Sequence, residues 1–367
     1  MRENFACAAW AEIDMAALSH NYLLAGRLSG GREVIPVVKA NAYGHGAGEV
    51  CAHLTENLGV KRLAVARVNE GAGLKENSID AGIIILGGFY KEEIPEIIHY
   101  GLEPSIYNMG LLRLLSAKAE SAKKIIKVHL KINTGMNRLG IRPQKAPEFI
   151  NFIKKARYLK LESVYTHFAD ADMASDKRTK KQSDELLSLK EAAGAGVFFH
   201  AANSAAILKY PFSHFDAVRP GIMMYGSYCE KKHAEALLPV MTLKSRVAHT
   251  MALNPGDKVS YGGRYTARKK EHAAVVSIGY GDGYLRSLSG RGEVMINGKR
   301  CPVLGTVCMD LIVVKTDKNV KPGDTALIFG KDGKNIMPIE KMADDAGTIA
   351  YEILTGISDR VKRIYRY

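Results

Sequence analysis

The segment VIPVVK, residues 34–39, is an apolar run rich in β-branched residues that ends in a single lysine. Seven further short apolar runs follow along the chain, at residues 62–67, 82–88, 103–107, 127–133, 161–168, 197–201 and 216–224. Amphipathic segments separate them, at residues 46–58, 91–100, 110–119, 146–157 and 180–193. Buried apolar strands that alternate with helices are typical of a parallel sheet covered on both faces. Eight of them predict a (β/α)8 TIM barrel, and no GxGxxG motif follows a run to favour a doubly wound sheet instead.

The pattern changes after about residue 236. Short alternating runs at residues 240–250, 272–277, 293–296, 299–307, 311–316 and 325–329 predict strands. Turn sequences such as Asn254-Pro255-Gly256-Asp257 and Asn297-Gly298 lie between them. We expect a β-rich C-terminal domain, with short helices near residues 339–346 and 349–355. The predicted domains are a barrel over residues 12–236 and a β-rich domain over residues 237–367, which residues 1–11 join.

Composition bounds the class of protein. The chain has 367 residues, of which 47% are hydrophobic and 25% charged, as in ordinary globular proteins. No apolar stretch approaches a membrane span, and neither a signal peptide nor a metal-binding spacing such as HExxH is visible. The 5 cysteines are odd in number and form no CxxC motif. We therefore expect no bound metal and a reducing, cytoplasmic environment.

The chain is strongly basic, with a formal charge of +14. Its cations are scattered, in clusters such as Lys123-Lys124 and Lys180-Lys181, and no block of five or six like charges occurs. Nucleic-acid binding would favour a basic stripe with exposed aromatic residues or a known module, and neither is found. Most of the excess is therefore interpreted as solvated surface.

Catalytic residues of a barrel lie where strands end and loops begin. Lys39 ends the first run, and such a lysine either snorkels to solvent or acquires a lowered pKa and serves as a nucleophile or base. Ser204, the Gly221 amide and Tyr43 could bind a phosphate, and Arg219 could meet a ring nitrogen. Together these groups predict a site for pyridoxal phosphate held on a lysine. Taken alone, His167 reads as a hydrogen-bonded core residue and Asn203 as a helix cap.

Over essentially its whole length, the sequence resembles the alanine racemases. The motifs that carry the resemblance are VVKANAYGHG at residues 37–46, KINTGMNRLG at 131–140, THF at 166–168, Asn203-Ser204, Arg219-Pro-Gly, VSYG at 259–262, Ile278-Gly-Tyr280 and Cys308-Met-Asp310. The resemblance implies a barrel followed by a β domain and a head-to-tail homodimer. Each active site would then be completed by the C-terminal domain of the partner.

The resemblance also implies roles for individual residues. Lys39 would be the Schiff-base lysine and one of two catalytic bases, and Tyr261, chosen over Tyr265 by its VSYG context, would be the other. Racemisation removes the α proton from one face and returns it on the other, so each face needs its own acid or base. Arg219 would contact the pyridine nitrogen, with His167 orienting it, and the phosphate would be held by Tyr43, Ser204, Gly221 and Ile222. Arg138 and Met309 would position the substrate carboxylate, and Tyr280 would stand at the entrance. Lys131, which is frequently carbamylated in the family, would fix Arg138.

Two positions depart from the family pattern. Asn133 stands where an aspartate is common, and Asp359 stands where the family usually has a tyrosine close to the phosphate and the substrate side chain. Serine-racemising relatives, including the racemase domains of membrane-anchored vancomycin-resistance proteins, also have a smaller polar residue there. The sequence therefore predicts a pocket that accepts a hydroxymethyl side chain more readily than a typical alanine racemase.

The main reading is a racemase that supplies D-alanine for peptidoglycan. The alternatives are a serine or dual-specificity racemase, a pyridoxal-phosphate-dependent decarboxylase of basic amino acids with the same two-domain plan, and a non-catalytic protein that binds the cofactor. The decarboxylases carry a glycine-rich phosphate loop and a cysteine context that this chain lacks. The non-catalytic proteins lack the second domain.

Overall fold

The computed structural model describes residues 7–228 and 236–367. Two compact units are present, one made of Ser19–Ala42 and Gly46–Leu237, the other of the residues up to Leu18 with Tyr43–His45 and Leu238–Tyr367. Relative to the boundaries expected from the sequence, residues 12–18 and 43–45 group with the second unit. Of the predicted N-terminal segment 1–11, residues 1–6 lie outside the described part of the chain.

The first nine strands in chain order include all eight strands of the first unit. They are β1 (Ala9–Asp14), β2 (Glu33–Val34), β3 (Arg62–Val65), β4 (Gly82–Ile85), β5 (Glu103–Ile106), β6 (Ile126–Lys131), β7 (Leu159–Tyr165), β8 (Phe198–His200) and β9 (Ala217–Val218). Strands β2 to β9 form an 8-stranded sheet in the order β2-β9-β8-β7-β6-β5-β4-β3, and every pairing in it is parallel.

This sheet is closed into a barrel by the residues that follow β2. Val37 bridges Ala64 of β3, with the Val38 amide donating to the Ala64 carbonyl at 2.8 Å and the Ala64 amide to the Pro36 carbonyl at 2.9 Å. Because the segment after β2 is joined to β3, the strand at the other end of the sheet order, the sheet has no free edge. The prediction of a TIM barrel followed by a β-rich domain is confirmed.

Helices alternate with the barrel strands and pack apolar faces against them. In Ala146–Lys155, the buried residues Ala146, Phe149, Ile150 and Ile153 follow the helical spacing. The α-helices of the described chain before residue 238 are Met15–Leu28, Ala47–Glu56, Val68–Glu76, Ile94–Tyr100, Met109–Ala122, Ala146–Lys155, Lys177–Leu187, Lys190–Ala193 and Ser204–Lys209. Short 3-10 helices occur at Lys91–Glu93, Pro143–Lys145, Pro211–Ser213 and Ile222–Tyr225.

The run at residues 216–224 is only partly a strand. Its extended part is β9, and Ile222–Tyr225 forms a 3-10 helix, so the prediction of a strand up to residue 224 is wrong. Pro220 has no amide hydrogen for a sheet ladder, and Gly221 adopts a backbone conformation outside the strand region. These two residues convert the end of the run into a turn.

The second unit is built mainly from β1 and ten further strands. These are β10 (Met241–Leu253), β11 (Lys258–Val259), β12 (Tyr265–Thr266), β13 (Glu271–Val276), β14 (Glu293–Ile296), β15 (Lys299–Leu304), β16 (Ile312–Thr316), β17 (Thr325–Asp332), β18 (Asn335–Met337) and β19 (Lys362–Arg366). The helices of this part are Ile339–Ala346 and Ala350–Thr355, with 3-10 helices at Tyr261–Gly263 and Arg286–Leu288.

The long strand β10 organises this unit. Its first half pairs with β1 and β17, its second half pairs with β13, and the pairings β13–β16, β16–β15, β15–β14 and β14–β17 complete a ring. Strand β1 also pairs in parallel with β19, so both ends of the described chain are held at one place in the sheet. Leu253, Val259, Ala273 and Leu304 contribute to its apolar core.

Membrane-spanning helices, metal-ligand clusters and cysteines are considered only among the residues that the structure describes. No helix among residues 7–228 and 236–367 is both long enough and apolar enough to cross a membrane. No group of three potential metal ligands is present in the same part of the chain. Cys7, Cys51, Cys301 and Cys308 are free thiols, and Cys229 lies outside the described residues.

Candidate active site

Lys39 is followed by an unusual turn of the backbone. Ala40, Asn41, Ala42 and Tyr43 have φ values of 51°, 54°, 52° and 52°, a left-handed conformation that costs a non-glycine residue roughly 1–2 kcal/mol. Within the barrel unit the turn is held by hydrogen bonds: the Ala40 amide donates to Glu70 Oε1 at 2.6 Å, and the Ala42 amide donates to the Val38 carbonyl at 2.9 Å. Such over-determined strain is concentrated at functional sites.

The Lys39 side chain is partly buried. Burial lowers the pKa of Lys39, the positive charge of Arg138 lowers it further, and the carboxylate of Glu70 acts in the opposite direction. A larger share of the amine is therefore neutral at physiological pH than in an exposed lysine, and the neutral amine is the nucleophilic form.

Lys131, at the end of β6, is buried more deeply. Its Nζ atom donates to the Leu86 carbonyl at 2.8 Å and lies 5.3 Å from the centroid of the Tyr165 ring. Burial, followed by the charges of Arg219, Arg138 and Lys39, lowers the pKa of Lys131 to about 7. The four cations that the sequence assigned to one site therefore lie within electrostatic reach of one another.

Arg219 follows β9, is 2% exposed, and is held on several sides. One terminal nitrogen donates to His200 Nδ1. The other donates to the carbonyls of Thr166, at 2.7 Å, and Ala201, at 3.1 Å. Burial lowers the pKa of Arg219 to about 10, which leaves the guanidinium charged at neutral pH.

His167 was predicted to orient Arg219, but the shorter hydrogen bonds of Arg219 are made with other groups. Its Nδ1 atom is 3.4 Å from Arg219, at the limit of a hydrogen bond, whereas His200 is closer. Burial and the surrounding cations, Arg219 first, hold the pKa of His167 well below its usual range. A neutral imidazole next to the guanidinium is consistent with a contact, and the sequence analysis missed the stronger role of His200.

Ser204 and Gly221 lie together, as expected for a phosphate site. Ser204 Oγ accepts from the amides of Gly221, at 3.0 Å, and Met223, at 3.3 Å. Asn203 caps the helix Ser204–Lys209 by accepting from the Ala206 amide at 3.1 Å, which confirms the capping interpretation. Ile222 opens a short 3-10 helix directly after Gly221.

The loop that carries Arg138 is organised by Asn133. Its Oδ1 atom accepts from the amides of Gly135, at 3.1 Å, and Asn137, at 3.0 Å, and its Nδ2 atom donates to Asn137 Oδ1 at 3.1 Å. An aspartate could accept the same two amide bonds but could not donate to Asn137. The departure from the family pattern thus adds a bond within the loop, and Arg138 itself is exposed.

Three predicted site residues lie between strands of the β-rich unit. Tyr261, Tyr280 and Met309 are 75%, 43% and 51% exposed. The Tyr280 amide donates to the Cys308 carbonyl at 3.0 Å, and the Thr306 hydroxyl donates to the Tyr261 carbonyl at 2.8 Å, so the loop at residues 306–309 joins all three.

Tyr265, the tyrosine that the motif context rejected, is engaged elsewhere. Its hydroxyl donates to Glu271, and this hydrogen bond raises the pKa of Tyr265. A tyrosine that serves as a base needs a lowered pKa, so the environment of Tyr265 disfavours that role.

Tyr43 and Asp359 also belong to this unit. Tyr43 is buried, its ring centroid is 6.0 Å from that of Tyr351, and burial raises the pKa of its hydroxyl. Asp359 is exposed, and Arg363 fixes the backbone on both sides of it by donating to the carbonyls of Ser358, at 2.6 Å, and Val361, at 2.8 Å. The proposed contacts of Tyr43 and Asp359 with phosphate and substrate stay predictions.

The fold and the barrel site define a class. A lysine with a lowered pKa at the mouth of a TIM barrel, a charged arginine held by polar partners and a serine grouped with backbone amides form a donor set that fits pyridoxal phosphate. The structure therefore indicates a pyridoxal-phosphate-dependent enzyme with a barrel and a β-rich domain.

Comparison with known proteins identifies the family. Residues 13–229 match the model of the alanine racemase N-terminal domain, and residues 240–365 match that of the C-terminal domain. The chain belongs to the alanine racemase family, whose members are pyridoxal-phosphate-dependent amino-acid racemases, a class of isomerase.

Individual relatives agree over the full length. The alanine racemase of Carboxydothermus hydrogenoformans is 43% identical over 97% of this chain and 99% of its own, and that of Methanococcus maripaludis is 40% identical over 97% and 98%. The structure of alanine racemase from Clostridium difficile 630 superposes with a TM-score of 0.92 at 37% identity, covering 99% of this chain and 97% of that one. These matches do not favour the serine racemase or decarboxylase alternatives.

Proposed function

We propose that this chain interconverts L- and D-alanine with Lys39 and Tyr261 as the two bases. The observation that carries the proposal is the partly buried Lys39 beside the barrel-closing bridge at Val37, and burial and Arg138 lower its pKa. When bound, pyridoxal phosphate withdraws electrons from the substrate Cα and makes its proton removable. Lys39 then exchanges a proton with one face of Cα, and Tyr261 exchanges a proton with the other.

Other residues bind and orient. Arg219 would face the pyridine nitrogen, and because a guanidinium does not give up its proton, it would leave that nitrogen unprotonated. The phosphate would be held by Ser204, the amides of Gly221 and Ile222, and Tyr43, with His167 beside Arg219 and Asn203 positioning Ser204 through its helix cap.

The substrate end of the site contains Arg138 and Met309 for the carboxylate and Tyr280 at the entrance. Lys131 would fix Arg138 after carbamylation, which requires a neutral amine to react with carbon dioxide. The low pKa of Lys131 supplies that neutral form near pH 7.

We further infer a homodimer in which the partner's β-rich unit completes each site, and a cytoplasmic role in supplying D-alanine for peptidoglycan. The exposure of Tyr261 and Met309 supports the shared site, because large apolar side chains on one surface favour an interface.

The proposal is tested with the purified protein and added pyridoxal phosphate. Chiral chromatography of reactions with L-alanine, L-serine and L-lysine is expected to show racemisation of alanine above the others and no loss of the carboxylate carbon. Lys39→Ala is expected to abolish turnover, and Tyr261→Phe to lower kcat by about 10²–10⁴-fold.

Tyr265→Phe is the matched control, because it removes the same hydroxyl four residues away and is expected to leave kcat within about twofold of the wild type. Unchanged alanine racemisation in Tyr261→Phe would exclude the two-base assignment. Release of carbon dioxide from L-lysine would favour the decarboxylase instead.

A further inference from the structure

A continuous chain of polar side chains runs through the interior of the barrel. From Arg219 it passes to His200 Nδ1, from His200 Nε2 to Ser163 Oγ at 2.9 Å, from Ser163 Oγ to His129 Nδ1 at 2.6 Å, and from His129 Nε2 to Glu103 Oε2 at 3.0 Å. Glu103, His129, Ser163 and His200 come from the consecutive strands β5, β6, β7 and β8, and Arg219 follows β9.

The burial of these residues makes the hydrogen-bonded series of side chains unusual for the fold. Ser163, His129 and His200 are 0% exposed, and Glu103 is 4% exposed. Barrel interiors are normally filled by bulky apolar side chains, and a buried polar group is costly unless its hydrogen bonds are satisfied. A complete chain of this kind specifies one arrangement of its members.

For neutral imidazole rings, the two ends fix the direction of every hydrogen bond. A guanidinium only donates and a carboxylate only accepts. His200 must therefore accept at Nδ1, carry its proton on Nε2 and donate to Ser163. The Ser163 hydroxyl then donates to His129 Nδ1, and His129 donates from Nε2 to Glu103.

The charges around the chain agree with this direction. Burial raises the pKa of Glu103, but the hydrogen bond from His129 and the charges of Lys127 and Arg62 outweigh it and lower the pKa. Lys127 Nζ lies 3.3 Å from Glu103 Oε1. Burial, followed by the charge of Arg219, holds the pKa of His200 well below its usual range, so His200 is neutral.

We propose that Glu103 is a positioning residue for Arg219, acting through a hydrogen-bonded relay of His129, Ser163 and His200. Its carboxylate polarises each bond in turn, which makes His200 Nδ1 a stronger acceptor and holds the guanidinium in one orientation. The importance of Arg219 for turnover rests on the proposed function, whereas the relay itself does not.

The barrel offers a matched control for a substitution of Glu103. Glu162, 6% exposed, is a second buried carboxylate, and it pairs with Arg62 at 2.5 Å and Lys160 at 2.8 Å without joining the relay. Glu103→Gln and Glu162→Gln make the same chemical change at two buried sites, but only the first changes a member of the relay.

The test is nitrogen-15 NMR of the histidine rings and arginine side chains in the protein loaded with pyridoxal phosphate. In the wild type, His200 is expected to be neutral with its proton on Nε2. Glu103→Gln is expected to shift the ring-nitrogen signals of His200, which it does not touch, and Glu162→Gln to leave them in place. In a Ser163→Ala background, Glu103→Gln is expected to have no effect on His200, because the relay is already broken.

A steady-state measurement tests the link to Arg219. Glu103→Gln is expected to lower kcat for alanine by about two- to fivefold at nearly constant KM, as the loss of polarisation along a hydrogen-bond chain implies. His200 signals that are identical in Glu103→Gln and the wild type would overturn the proposal at any level of activity. Should Glu103→Gln not fold, Ser163→Ala alone decides the matter, since unchanged Arg219 side-chain signals in that variant would overturn it equally. A wild-type protein without racemase activity would instead overturn the proposed function.

Discussion

The lowered pKa of Lys131 makes the stability of the folded protein depend on pH. Its pKa is lowered from 10.5 to about 7, chiefly by burial and next by Arg219, so the folded protein binds fewer protons at this position than the unfolded chain between these values. Stability attributable to Lys131 therefore rises with pH from about 7 to 10.5 and is lowest below pH 7, where the lysine must be charged in both states.

Replacing Lys131 with methionine is expected to remove this dependence. A neutral side chain of similar length has no proton to lose, so Lys131→Met should gain most stability relative to the wild type at pH 6 and progressively less towards pH 10. Urea unfolding midpoints over this range, in carbonate-free buffer, measure the difference. A constant difference between the two proteins across the range would contradict the lowered pKa.

Asp359 is the residue at which substrate tolerance is predicted to differ from the family. We expect Asp359→Tyr, which restores the usual aromatic side chain and its hydroxyl, to raise the ratio of kcat/KM for L-alanine to that for L-serine. A single change in a pocket contact of this kind is worth about 10- to 200-fold at most. Asp310→Asn, at an exposed aspartate that pairs with Arg360 at 2.7 Å, serves as a comparison. An unmoved ratio in Asp359→Tyr would show that other residues set the preference.

At the level of elements, the eight barrel strands were predictable because strands buried on both faces must be apolar runs. The rule that chemistry lies at strand ends also selected Lys39, Lys131, Ser204 and Arg219 as candidates. It could not find His200 as the partner of Arg219, since a buried polar residue has a meaning only once its neighbours across the barrel are known.

The left-handed turn at residues 40–43 is the clearest structural feature that the sequence did not reveal. It contains no glycine, so local propensity argues against it. A tertiary bond from Ala40 to Glu70 holds it, together with a local bond from Ala42 to Val38. The end of the run at residues 216–224 failed for a related reason, because Pro220 and Gly221 were weighed less than the apolar residues around them.

Because of this strain, replacing alanine by glycine in the turn is not expected to lower stability, as it does elsewhere. Ala40 is exposed and has a φ of 51°, so Ala40→Gly relieves about 1–2 kcal/mol of left-handed strain against about 1 kcal/mol of added chain entropy in the unfolded state. We expect unchanged or slightly higher stability. Ala117→Gly, at an exposed position inside the helix Met109–Ala122, should lower stability by about 1 kcal/mol. Urea unfolding compares the two, and equal losses would contradict the strain.

At the scale of the whole molecule, the positive charge has a limited functional meaning. Of 52 basic residues, the site accounts for four, Lys39, Lys131, Arg138 and Arg219, which influence one another in the barrel. The β-rich unit contributes no cation to the proposed chemistry and instead presents Tyr261, Tyr280 and Met309 at its surface. The proposed site therefore draws on two surfaces of different character, which the proposed homodimer would bring together.

A complementation experiment tests whether that meeting occurs between subunits. Lys39→Ala and Tyr261→Phe chains are each expected to be inactive. In a mixed dimer with shared sites, one site contains both substitutions and the other contains neither. Random mixing places about half of the chains' dimers in the mixed form, so activity should recover to about a quarter of the wild-type value after co-refolding. If Lys39 and Tyr261 of the same chain acted together, every site in the mixture would retain one substitution and no activity would return. A mixture of Lys39→Ala with Arg219→Ala is the control, because both changes lie in the barrel unit and leave every site of a mixed dimer defective.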